Sequence, residues 1–374
     1  MSATEFDAIV LGAGAAGLMC AAVAGQRGRR VLLLDHADQV GKKILISGGG
    51  RCNFTNVNTA PDRFLSANPH FAKSALARYT PADFIALVER HGIAYHEKTL
   101  GQLFCDGSAK QIVAMLLDEC AKSEVDVRTG QPIRDVTHAG ATFAVRFGDA
   151  RFTAPALVIA TGGPSIPKMG ATGFAYDLAR QFGLKVVEPR PALVPLTLGG
   201  DDVLFRELSG IAAPVEARAG KAAFREAALF THKGLSGPAI LQVSSYWRHG
   251  EPVTIDFLPD TPQGWLLDAK RTRPRATMRA ALGTMLPDRL AETLAERLAL
   301  PGELAAQTDR KLADAESRLA RWIFHPNGTE GFAKAEVTVG GISTAGLSSQ
   351  TMVAKTVPNL YAIGEAVDVT GWLG

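Results

Sequence analysis

The chain has 374 residues, which at the usual ~150 residues per domain predicts two or three domains. Hydrophobic residues make up 47% and charged residues 21%, values that disfavour a disordered or fibrous chain. Lys and Arg total 40 against 37 Asp and Glu, and this net charge of +3 predicts that neither nucleic acid nor an anionic membrane is the main partner.

The four cysteines are scattered and form no C-x-x-C pair, so we expect no disulfide framework, no dithiol redox site and no metal. Reduced thiols are typical of cytosolic proteins. No apolar run approaches the ~18 residues of a membrane span, and residues 1–7 lack the basic and apolar regions of a signal peptide. The sequence therefore predicts a cytoplasmic protein.

The first forty residues contain the strongest local signal. Residues 8–11 are a short apolar run typical of a buried parallel strand, and an Ala-rich stretch that ends near Arg27 predicts a helix. Between them lies Gly-Ala-Gly-Ala-Ala-Gly, at 12–17. A second apolar run, 31–34, ends in Asp35. Strand, glycine turn, helix, strand and acid in this order predict a dinucleotide-binding unit.

Each glycine of this turn has an expected role. Gly12 permits the tight turn, Gly14 lets a pyrophosphate approach the helix N-terminus, and Gly17 allows helix and strand to pack closely. Asp35 stands 21 residues after Gly14, where an acid is expected to bind a ribose 2′-hydroxyl, which disfavours NADP as the ligand of this motif. The motif alone does not separate FAD from NAD.

The following segments alternate between predicted helices and strands. Ala156-Leu-Val-Ile-Ala is a buried strand that ends in Thr161, Gly162 and Gly163, a second dinucleotide-type loop. Before it, the spacing of apolar residues predicts helices over 81–90 and 109–120 and strands over 125–128, 133–138 and 143–147.

A proline cluster at 189–195 marks a crossing into a second region. There, short apolar segments predict β-structure to about Leu258, and helical spacing follows from Pro262 to Trp322. Residues 360–363 are predicted to form a strand that joins the sheet of the first forty residues, and Gly364 and Glu365 follow it. The predicted fold class is α/β: a Rossmann-like domain over 1–190 and 345–374, a β-rich, barrel-like domain over 191–261 and 326–344, and a helical insert over 262–325.

Residues 42–53 form the most unusual segment, Lys-Lys-Ile-Leu-Ile-Ser-Gly-Gly-Gly-Arg-Cys-Asn. Consecutive glycines cost backbone entropy, so we expect positive φ angles or close approach to a flat ligand here. Lys42, Lys43 and Arg51 are candidates for phosphate contacts, and Asn53 for a hydrogen bond to a ring edge. A flexible surface loop is the alternative interpretation.

Two residues are candidates for chemistry. Cys52 is a candidate redox residue, although a small contact residue is favoured because no second cysteine is near in sequence. His232 is a candidate acid or base, since an imidazole exchanges protons near neutral pH, although a structural role is favoured because 236–238 are typical of a helix start. A basic run is interpreted as a solvated face or as a guide for an anionic substrate or pyridine nucleotide, and comprises Lys270, Arg271, Arg273, Arg275 and Arg279.

Several of these motifs occur together in one known family. The chain resembles the FAD/NAD(P)-dependent oxidoreductases that are aminoacetone-oxidase-like or bile-acid-reductase-like, and the resemblance extends from about residue 5 to the end. The motifs that carry it are the glycine turn with Asp35, Gly-Lys-Lys-Ile-Leu-Ile-Ser-Gly-Gly-Gly-Arg-Cys-Asn-Phe-Thr-Asn at 41–56, Pro-Lys-Met-Gly-Ala-Thr-Gly at 167–173, Arg-Pro-Ala-Leu-Val-Pro at 190–195, Phe-Thr-His-Lys-Gly-Leu-Ser-Gly-Pro-Ala-Ile-Leu at 230–241 and Val-Gly-Gly-Ile at 339–342.

The resemblance implies a noncovalent FAD in the Rossmann-like domain. It places Asp35 on the adenosine ribose, Ile133 beside adenine, and the glycine-rich segment along the pyrophosphate and the isoalloxazine ring. The cofactor-binding residues that it implies are Gly12, Gly14, Ala15, Ala16, Gly17, Asp35, His36, Lys43, Ser47, Gly48, Gly49, Gly50, Arg51, Cys52, Asn53, Ile133, Thr161, Gly162, Gly163, Gly364 and Glu365.

The implied activity is hydride transfer between flavin N5 and a small organic substrate, with NADH or NADPH as reductant. One alternative is an oxidase of a small amine that forms hydrogen peroxide; another, motivated by the pI of 8.6, is an RNA-associated FAD-binding scaffold without catalysis. No second G-x-G-x-x-G follows a strand, so a pyridine nucleotide would use the open face of the flavin. Family members continue after Glu365 into a helix that faces the flavin pyrimidine; nine residues follow Glu365 here, and we expect that helix to be missing and FAD to bind less tightly without it.

Overall fold

The computed structural model describes residues 4–373, so the outermost residues of the predicted Rossmann-like range, 1–3 and 374, lie outside the described part. The chain divides into two compact units. The first unit contains the described residues up to Arg190 together with Val337–Trp372, and the second unit contains Pro191–Glu336 and Leu373. The further division into three domains stays a prediction.

The first unit alternates strands and helices. Up to its crossing into the second unit its helices are α1 (Ala15–Gln26), α2 (Lys42–Ile46), α3 (Lys73–Arg78), α4 (Pro81–Arg90), α5 (Lys110–Lys122) and α6 (Phe174–Gln181). Its strands in the same part are β1 (Thr4–Glu5), β2 (Ala8–Leu11), β3 (Val31–Asp35), β4 (Asn53–Asn56), β5 (Phe64–Leu65), β6 (Tyr95–Glu97), β7 (Gln102–Cys105), β8 (Asp126–Thr129), β9 (Ile133–Ala139), β10 (Thr142–Phe147), β11 (Ala150–Ala154), β12 (Ala156–Ile159) and β13 (Val186–Ala192).

The second unit combines an antiparallel sheet with a helical segment. The sheet has the order β19-β18-β15-β16-β17-β14-β20, and its strands are β14 (Leu196–Thr197), β15 (Ala212–Ala219), β16 (Ala222–Thr231), β17 (Gly234–Ser236), β18 (Val253–Asp256), β19 (Trp322–Phe324) and β20 (Gly328–Thr329). The helices are α7 (Pro238–Ser244), α8 (Trp265–Thr272), α9 (Met278–Leu282), α10 (Asp288–Leu298) and α11 (Asp309–Leu319).

The chain then returns to the first unit through β21 (Val337–Ile342), β22 (Leu360–Ala362) and β23 (Thr370–Gly371). The sequence predicts that 337–344 belong to the β-rich domain. In the structure, β21 pairs with β13 and lies in the first unit. The glycines of β21 explain this pairing with β13. A Cβ at Gly340 would lie 2.4 Å from the carbonyl oxygen of Glu188 in β13. Such close contact requires glycine at this position.

The central sheet of the first unit is parallel and has the order β22-β12-β2-β3-β8. Strand β2, the earliest of these five strands in the chain, lies in the middle, with later strands added on both sides. The order reverses between β2 and β12, and in sheets of this kind ligands bind at the carboxyl ends of the strands beside that reversal. The predicted α/β class with a Rossmann-type sheet is confirmed.

Both faces of this sheet are buried, which explains why its strands are continuous apolar runs. Ile9 and Leu11 point to one face and pack with β9–β11 and α6, while Val10 points to the other face and packs with α1 and α5. Successive side chains of a strand alternate between faces, so one four-residue run serves both cores. Within residues 4–373, no helix is both long enough and apolar enough to cross a membrane.

Candidate functional site

The three glycines of the turn after β2 differ in the atoms that a side chain at each position would meet. Gly12 has φ +105°, and a Cβ there would lie 2.5 Å from the carbonyl oxygen of Ala160. A Cβ at Gly17 would lie 1.8 Å from the carbonyl oxygen of Gly12. At Gly14, by contrast, a Cβ would have no described atom within 4 Å. Gly12 and Gly17 are therefore required by the fold, whereas Gly14 leaves the N-terminus of α1 open to a ligand.

Asp35, at the carboxyl end of β3, fixes this turn. Its Oδ2 accepts a hydrogen bond from the Ala13 N–H (2.6 Å), and its Oδ1 accepts one from the Ala37 N–H (2.8 Å). Each carboxylate oxygen can accept a second bond, so the side chain, 16% exposed, can still bind a sugar hydroxyl. The neighbouring His36 is exposed and its Nε2 bonds the carbonyl oxygen of Gly170 (2.9 Å).

The loop after β12 lies beside the glycine turn and is surrounded by hydroxyl groups. A Cβ at Gly163 would lie 2.6 Å from Thr338 Oγ1 and 2.8 Å from the hydroxyl of Tyr176, while a Cβ at Gly162 would meet no described atom within 4 Å. Among the described residues, the buried hydroxyls of Thr161, Tyr176 and Thr338 have no hydrogen-bond partner. Buried hydroxyls are normally satisfied, so these three point to polar ligand atoms at this edge.

The third segment at this edge is Gly364 with Glu365. A Cβ at Gly364, where φ is +68°, would lie 2.6 Å from the Cβ of Ala16, so this backbone touches the first turn of α1. Helix α1 starts with Ala15 and Ala16, whose N–H groups point out of the helix start. The three glycine-containing segments therefore converge on one helix N-terminus, which suits a phosphate.

Glu365 is the centre of a hydrogen-bonded cluster. Its Oε2 forms an ion pair with Lys43 Nζ (2.6 Å), and its Oε1 accepts bonds from Ser165 Oγ (2.8 Å) and from the Thr338 N–H (3.0 Å). Lys43 Nζ also bonds Ser165 Oγ (2.7 Å). The predicted phosphate contact of Lys43 thus competes with an ion pair inside the protein, while Lys42 pairs with Asp38 (2.6 Å).

The glycine-rich loop between α2 and β4 has the expected positive φ angles: Gly48 +56°, Gly49 +66° and Gly50 +87°. A Cβ at Gly48 would lie 2.7 Å from the ring of Phe104, and one at Gly49 would meet no described atom within 4 Å. The hydroxyl of Ser47 donates to the carbonyl oxygen of Ile44 (2.8 Å) and closes the loop at its start. The loop is thus defined by the fold and presents an open glycine.

The residues after these glycines differ in exposure. Arg51 is exposed, whereas Cys52 is buried in the core, with φ +52°. Burial raises the pKa of the Cys52 thiol, so it stays protonated, which does not favour a redox or nucleophilic role. The side-chain amide of Asn53 is placed to donate to the carbonyl oxygens of Thr55 and Leu103, both at 3.2 Å, so it bonds its own sheet.

Ile133 begins β9, three residues after Gly130, whose N–H donates to the carbonyl oxygens of Asp35 (3.1 Å) and Ala37 (2.9 Å), and its side chain packs on the core between the sheets. His232 is exposed on the turn between β16 and β17 in the second unit, and α7 begins at Pro238 as expected. The exposed position of His232 does not favour a catalytic role, and the predicted contact of Ile133 with adenine stays a prediction. The functional role of every predicted site residue stays a prediction.

The pattern of glycines and charges did not reveal Ser165, Tyr176, Thr338 or Asp368. Tyr176 is buried, and its burial together with the negative charges of Glu365 and Asp368 raises the pKa of its hydroxyl. Asp368 is buried as well, its pKa is raised by burial, and its Oδ2 accepts from the Ala67 N–H (3.0 Å). Thr338 directly precedes the Val-Gly-Gly-Ile turn at 339–342, which was the available signal.

One group of side chains has the composition of a metal site. His91, Asp118 and Glu119 have ligating atoms within 4.8 Å of one another. Lys122 lies 2.7 Å from Asp118 and 3.4 Å from Glu119, so its ammonium already offsets one of the two negative charges. The expectation of no metal stays a prediction.

The residues at the carboxyl edge of the central sheet fit a dinucleotide. The open glycine at the start of α1 accommodates a pyrophosphate, Asp35 can accept from a ribose, and the unpartnered hydroxyls offer bonds to further polar atoms. The open, positive-φ backbone of Gly49 offers a surface for a flat ring. The donor set therefore fits FAD.

Comparison with known proteins gives a match over nearly the whole chain. A family model described as HI0933-like protein Rossmann domain matches residues 6–374. The chain is 51% identical over 377 residues to the ribosomal RNA dihydrouridine synthase of Escherichia coli, covering 99% of this chain and 94% of that protein. It is 45% identical over 374 residues to the protein of the same name from Haemophilus influenzae, covering 98% and 93%.

More distant proteins share the architecture. The 3-dehydro-bile acid delta(4,6)-reductase of Clostridium scindens is 26% identical over 386 residues, covering 98% of this chain and 93% of that protein. Among solved structures, the 3-ketosteroid-delta4-(5alpha)-dehydrogenase of Rhodococcus jostii covers 99% of this chain and 92% of its own, with a TM-score of 0.50 and 13% identity. At this identity the likeness shows the fold alone.

These comparisons correct two expectations. The expected bile-acid-reductase resemblance is confirmed as a distant one, whereas the relatives at 45% and 51% identity carry a ribosomal RNA enzyme's name rather than that of an aminoacetone oxidase. The expectation that nucleic acid is not a partner is wrong, because those relatives act on ribosomal RNA. The net charge misled because it averages the chain: residues 41–110 contain nine Lys and Arg against five Asp and Glu, and 262–325 contain eleven against eight.

Proposed function

The chain belongs to the HI0933-like protein Rossmann domain family, and from that premise we propose that it is an FAD-dependent enzyme that reduces uridine to dihydrouridine in ribosomal RNA. The observation that carries the proposal is the 51% identity to the Escherichia coli ribosomal RNA dihydrouridine synthase across 99% of this chain. The geometry supports the flavin part, since the edge of the central sheet fits FAD. A substrate in ribosomal RNA also implies a cytoplasmic protein.

The proposed cofactor contacts follow the open and unpartnered groups of the first unit. The start of α1 at Gly14 would hold the pyrophosphate and Asp35 the adenosine ribose. Thr161, Thr338 and Tyr176 would bond polar atoms of the cofactor, because their hydroxyls are buried without partners among the described residues. Gly49 would lie against the ring system.

The reaction balances as two electrons and two protons added across the C5–C6 double bond of the uracil ring. NAD(P)H provides a hydride equivalent and solvent provides the second proton, so the products are dihydrouridine and NAD(P)⁺. When bound, FAD would carry the two electrons from the nicotinamide to the pyrimidine. Either NADH or NADPH satisfies this balance.

The residues of the chain would bind and orient rather than react. Glu365, held by Lys43, Ser165 and the Thr338 N–H, cannot rotate without losing an ion pair, so it keeps the loop at Gly364 against α1. Tyr176 keeps its proton because its pKa is raised, and it therefore remains a hydrogen-bond donor across the physiological pH range.

Exposed cations without acidic partners support an RNA substrate. Between Asp268 and Asp288 the second unit has five Lys and Arg and no acid. Lys270 pairs with Asp309, Arg271 with Asp268 and Arg279 with Glu292, whereas Arg273 and Arg275 are exposed and form no ion pair among residues 4–373. Unpaired cations of this kind bind phosphates with a strong dependence on salt.

The test uses the purified protein with FAD, NADH or NADPH, and ribosomal RNA from an Escherichia coli strain that lacks its own ribosomal RNA dihydrouridine synthase. Nucleoside mass spectrometry should find new dihydrouridine that depends on a nicotinamide and on this protein. RNA that is bound but never reduced would overturn the proposal in favour of a scaffold. Hydrogen peroxide formed in proportion to an oxidised small amine, without dihydrouridine, would favour the oxidase.

A further inference from the structure

An exposed tip projects from the small antiparallel sheet formed by β4, β7 and β6 in the first unit. Two large apolar side chains lie on it: Val57, 48% exposed, follows β4, and Leu100, 58% exposed, lies in the turn between β6 and β7. Leu100 also has φ +52°, a conformation that strains a leucine. We call Val57 and Leu100 together the apolar tip.

The polar groups around the tip hold this strained conformation in place. The side-chain amides of Asn56 and Asn58 both donate to the carbonyl oxygen of Leu100, at 3.1 and 3.3 Å. The Val57 N–H donates to the carbonyl oxygen of Gly101 (2.9 Å), and Glu97 Oε1 accepts from the Gly101 N–H (2.9 Å). Four hydrogen bonds therefore fix a loop whose apolar side chains contribute little to the core. Strain that is held without a packing benefit is typical of functional sites.

The tip adjoins the proposed flavin site. Strand β4 begins at Asn53, directly after the glycine-rich loop, and Val57 is four residues further on, so the tip lies at most ~13 Å of extended chain from Asn53. The Ala109 N–H donates to the carbonyl oxygen of Gly50 (2.8 Å), which places Lys110 beside the same loop.

The charges along this path are complementary to RNA. Arg51, Lys98 and Lys110 are exposed and form no ion pair among the residues that the structure describes. Lys98 lies at the tip, with its Nζ 5.3 Å from the ring centre of Phe104. Two exposed acids lie near this path: Glu97 accepts the Gly101 N–H described above, and Asp106 pairs with His96 (2.6 Å). A phosphate backbone could therefore follow the cations from the tip to the glycine-rich loop.

We propose that the apolar tip inserts between stacked bases of the ribosomal RNA and occupies the space that the target uridine leaves when it turns toward the flavin. This inference rests on the proposed function. An enzyme that reacts with a base in structured RNA must remove that base from its stack, and apolar side chains such as leucine act as wedges between base steps. The short chain path between the tip and Asn53, at most ~13 Å, keeps the proposed wedge close to the glycine-rich loop.

The decisive variant is Leu100→Gly. Glycine accepts a positive φ without strain, so a merely structural Leu100 predicts equal or higher thermal stability and full activity. A wedge predicts equal or higher stability but a fall of about tenfold or more in dihydrouridine formation on protein-free ribosomal RNA. Leu100→Met should restore most of the rate. The matched control is Ile323→Ala on β19, which removes an apolar side chain of similar exposure, 53%, and should leave the rate unchanged.

The same samples separate this inference from the proposed function. Flavin reduction by NADPH without RNA should be equal in wild type and Leu100→Gly. A Leu100→Gly protein that forms dihydrouridine at the wild-type rate overturns the wedge and leaves the proposed function standing. Loss of activity only on ribosomal particles, with full activity on protein-free RNA, overturns it in favour of a protein contact. A wild-type protein that forms no dihydrouridine overturns both.

Discussion

Two glycine-rich segments of the first unit look alike in sequence and differ in structure. In the turn at 12–17, the backbone itself excludes a side chain at Gly12 and Gly17, and in the loop at 47–50 the ring of Phe104 excludes one at Gly48. Gly14 and Gly49 face no described atom within 4 Å. Each segment thus contains at least one glycine whose side-chain position is blocked by the fold and one, Gly14 or Gly49, whose side-chain position is open, and we assign these two open positions to the ligand.

The largest expected effect is at Gly17. A Cβ there would overlap the carbonyl oxygen of Gly12, 1.8 Å away, so helix α1 would have to move away from β2. We expect Gly17→Ala to lower the free energy of unfolding of the apo-protein by about 3 kcal/mol or more. Urea denaturation measures this free energy. A loss below about 1 kcal/mol would show that the turn accommodates a side chain at Gly17, so that the fold does not require this glycine.

Gly14→Val should separate ligand from fold. Gly14 has φ −81° and ψ −174°, an extended conformation that valine adopts readily. The apo-protein should therefore keep its unfolding free energy within about 0.5 kcal/mol, while FAD binds at least ~100-fold more weakly because the side chain occupies the pyrophosphate position. Titration of apo-protein with FAD checks this. Wild-type affinity in the folded variant would remove the pyrophosphate assignment.

Gly49→Ala should have a mixed effect. Its φ of +66° strains alanine, so we expect a loss of about 1 kcal/mol in stability even though space is available. If the ring lies against this backbone, anaerobic reduction of the bound flavin by NADPH should also slow by about tenfold. Stopped-flow absorbance gives the rate, with Gly92→Ala, another open glycine of positive φ, as the control for strain alone. If Gly49→Ala and Gly92→Ala show equal rates of flavin reduction, the glycine-rich loop has a structural role only.

The smallest effect is expected at Cys52. Its pKa is raised by burial, so at pH 8 the thiol is protonated and should react slowly with iodoacetamide in the native protein. Cys52→Ala should keep the rate of flavin reduction within about twofold, since the residue packs and does not react. A rate that collapses while the melting temperature is unchanged would restore Cys52 as a redox residue.

The sequence predicts correctly those helices, strands and turns that are determined by a few neighbouring residues. The helix at 81–90 ends where its apolar spacing predicts, and the strand, turn and acid of the dinucleotide unit lie as expected. Amphipathic spacing and glycine turns are decided by neighbours in sequence, so they are readable without the structure.

The remainder depends on contacts that are distant in sequence. Lys43 is held by Glu365, 322 residues away, and the hydroxyls of Tyr176 and Thr338 meet beside Gly163. The spacing of residues along the sequence does not predict contacts between residues so far apart in the chain. The net charge failed for a related reason, since a sum over the chain does not show where exposed cations without ion pairs lie, and Arg51 and Lys98 are two of these among the described residues.

The central claim is that the flavin site of this chain reduces uridine in ribosomal RNA. The most direct measurement expresses wild type and Gly14→Val in an Escherichia coli strain that lacks its own ribosomal RNA dihydrouridine synthase, followed by nucleoside mass spectrometry of the ribosomal RNA. Wild type should restore dihydrouridine, and Gly14→Val, at equal abundance, should not. Equal dihydrouridine with both proteins, or none with wild type, would contradict the account.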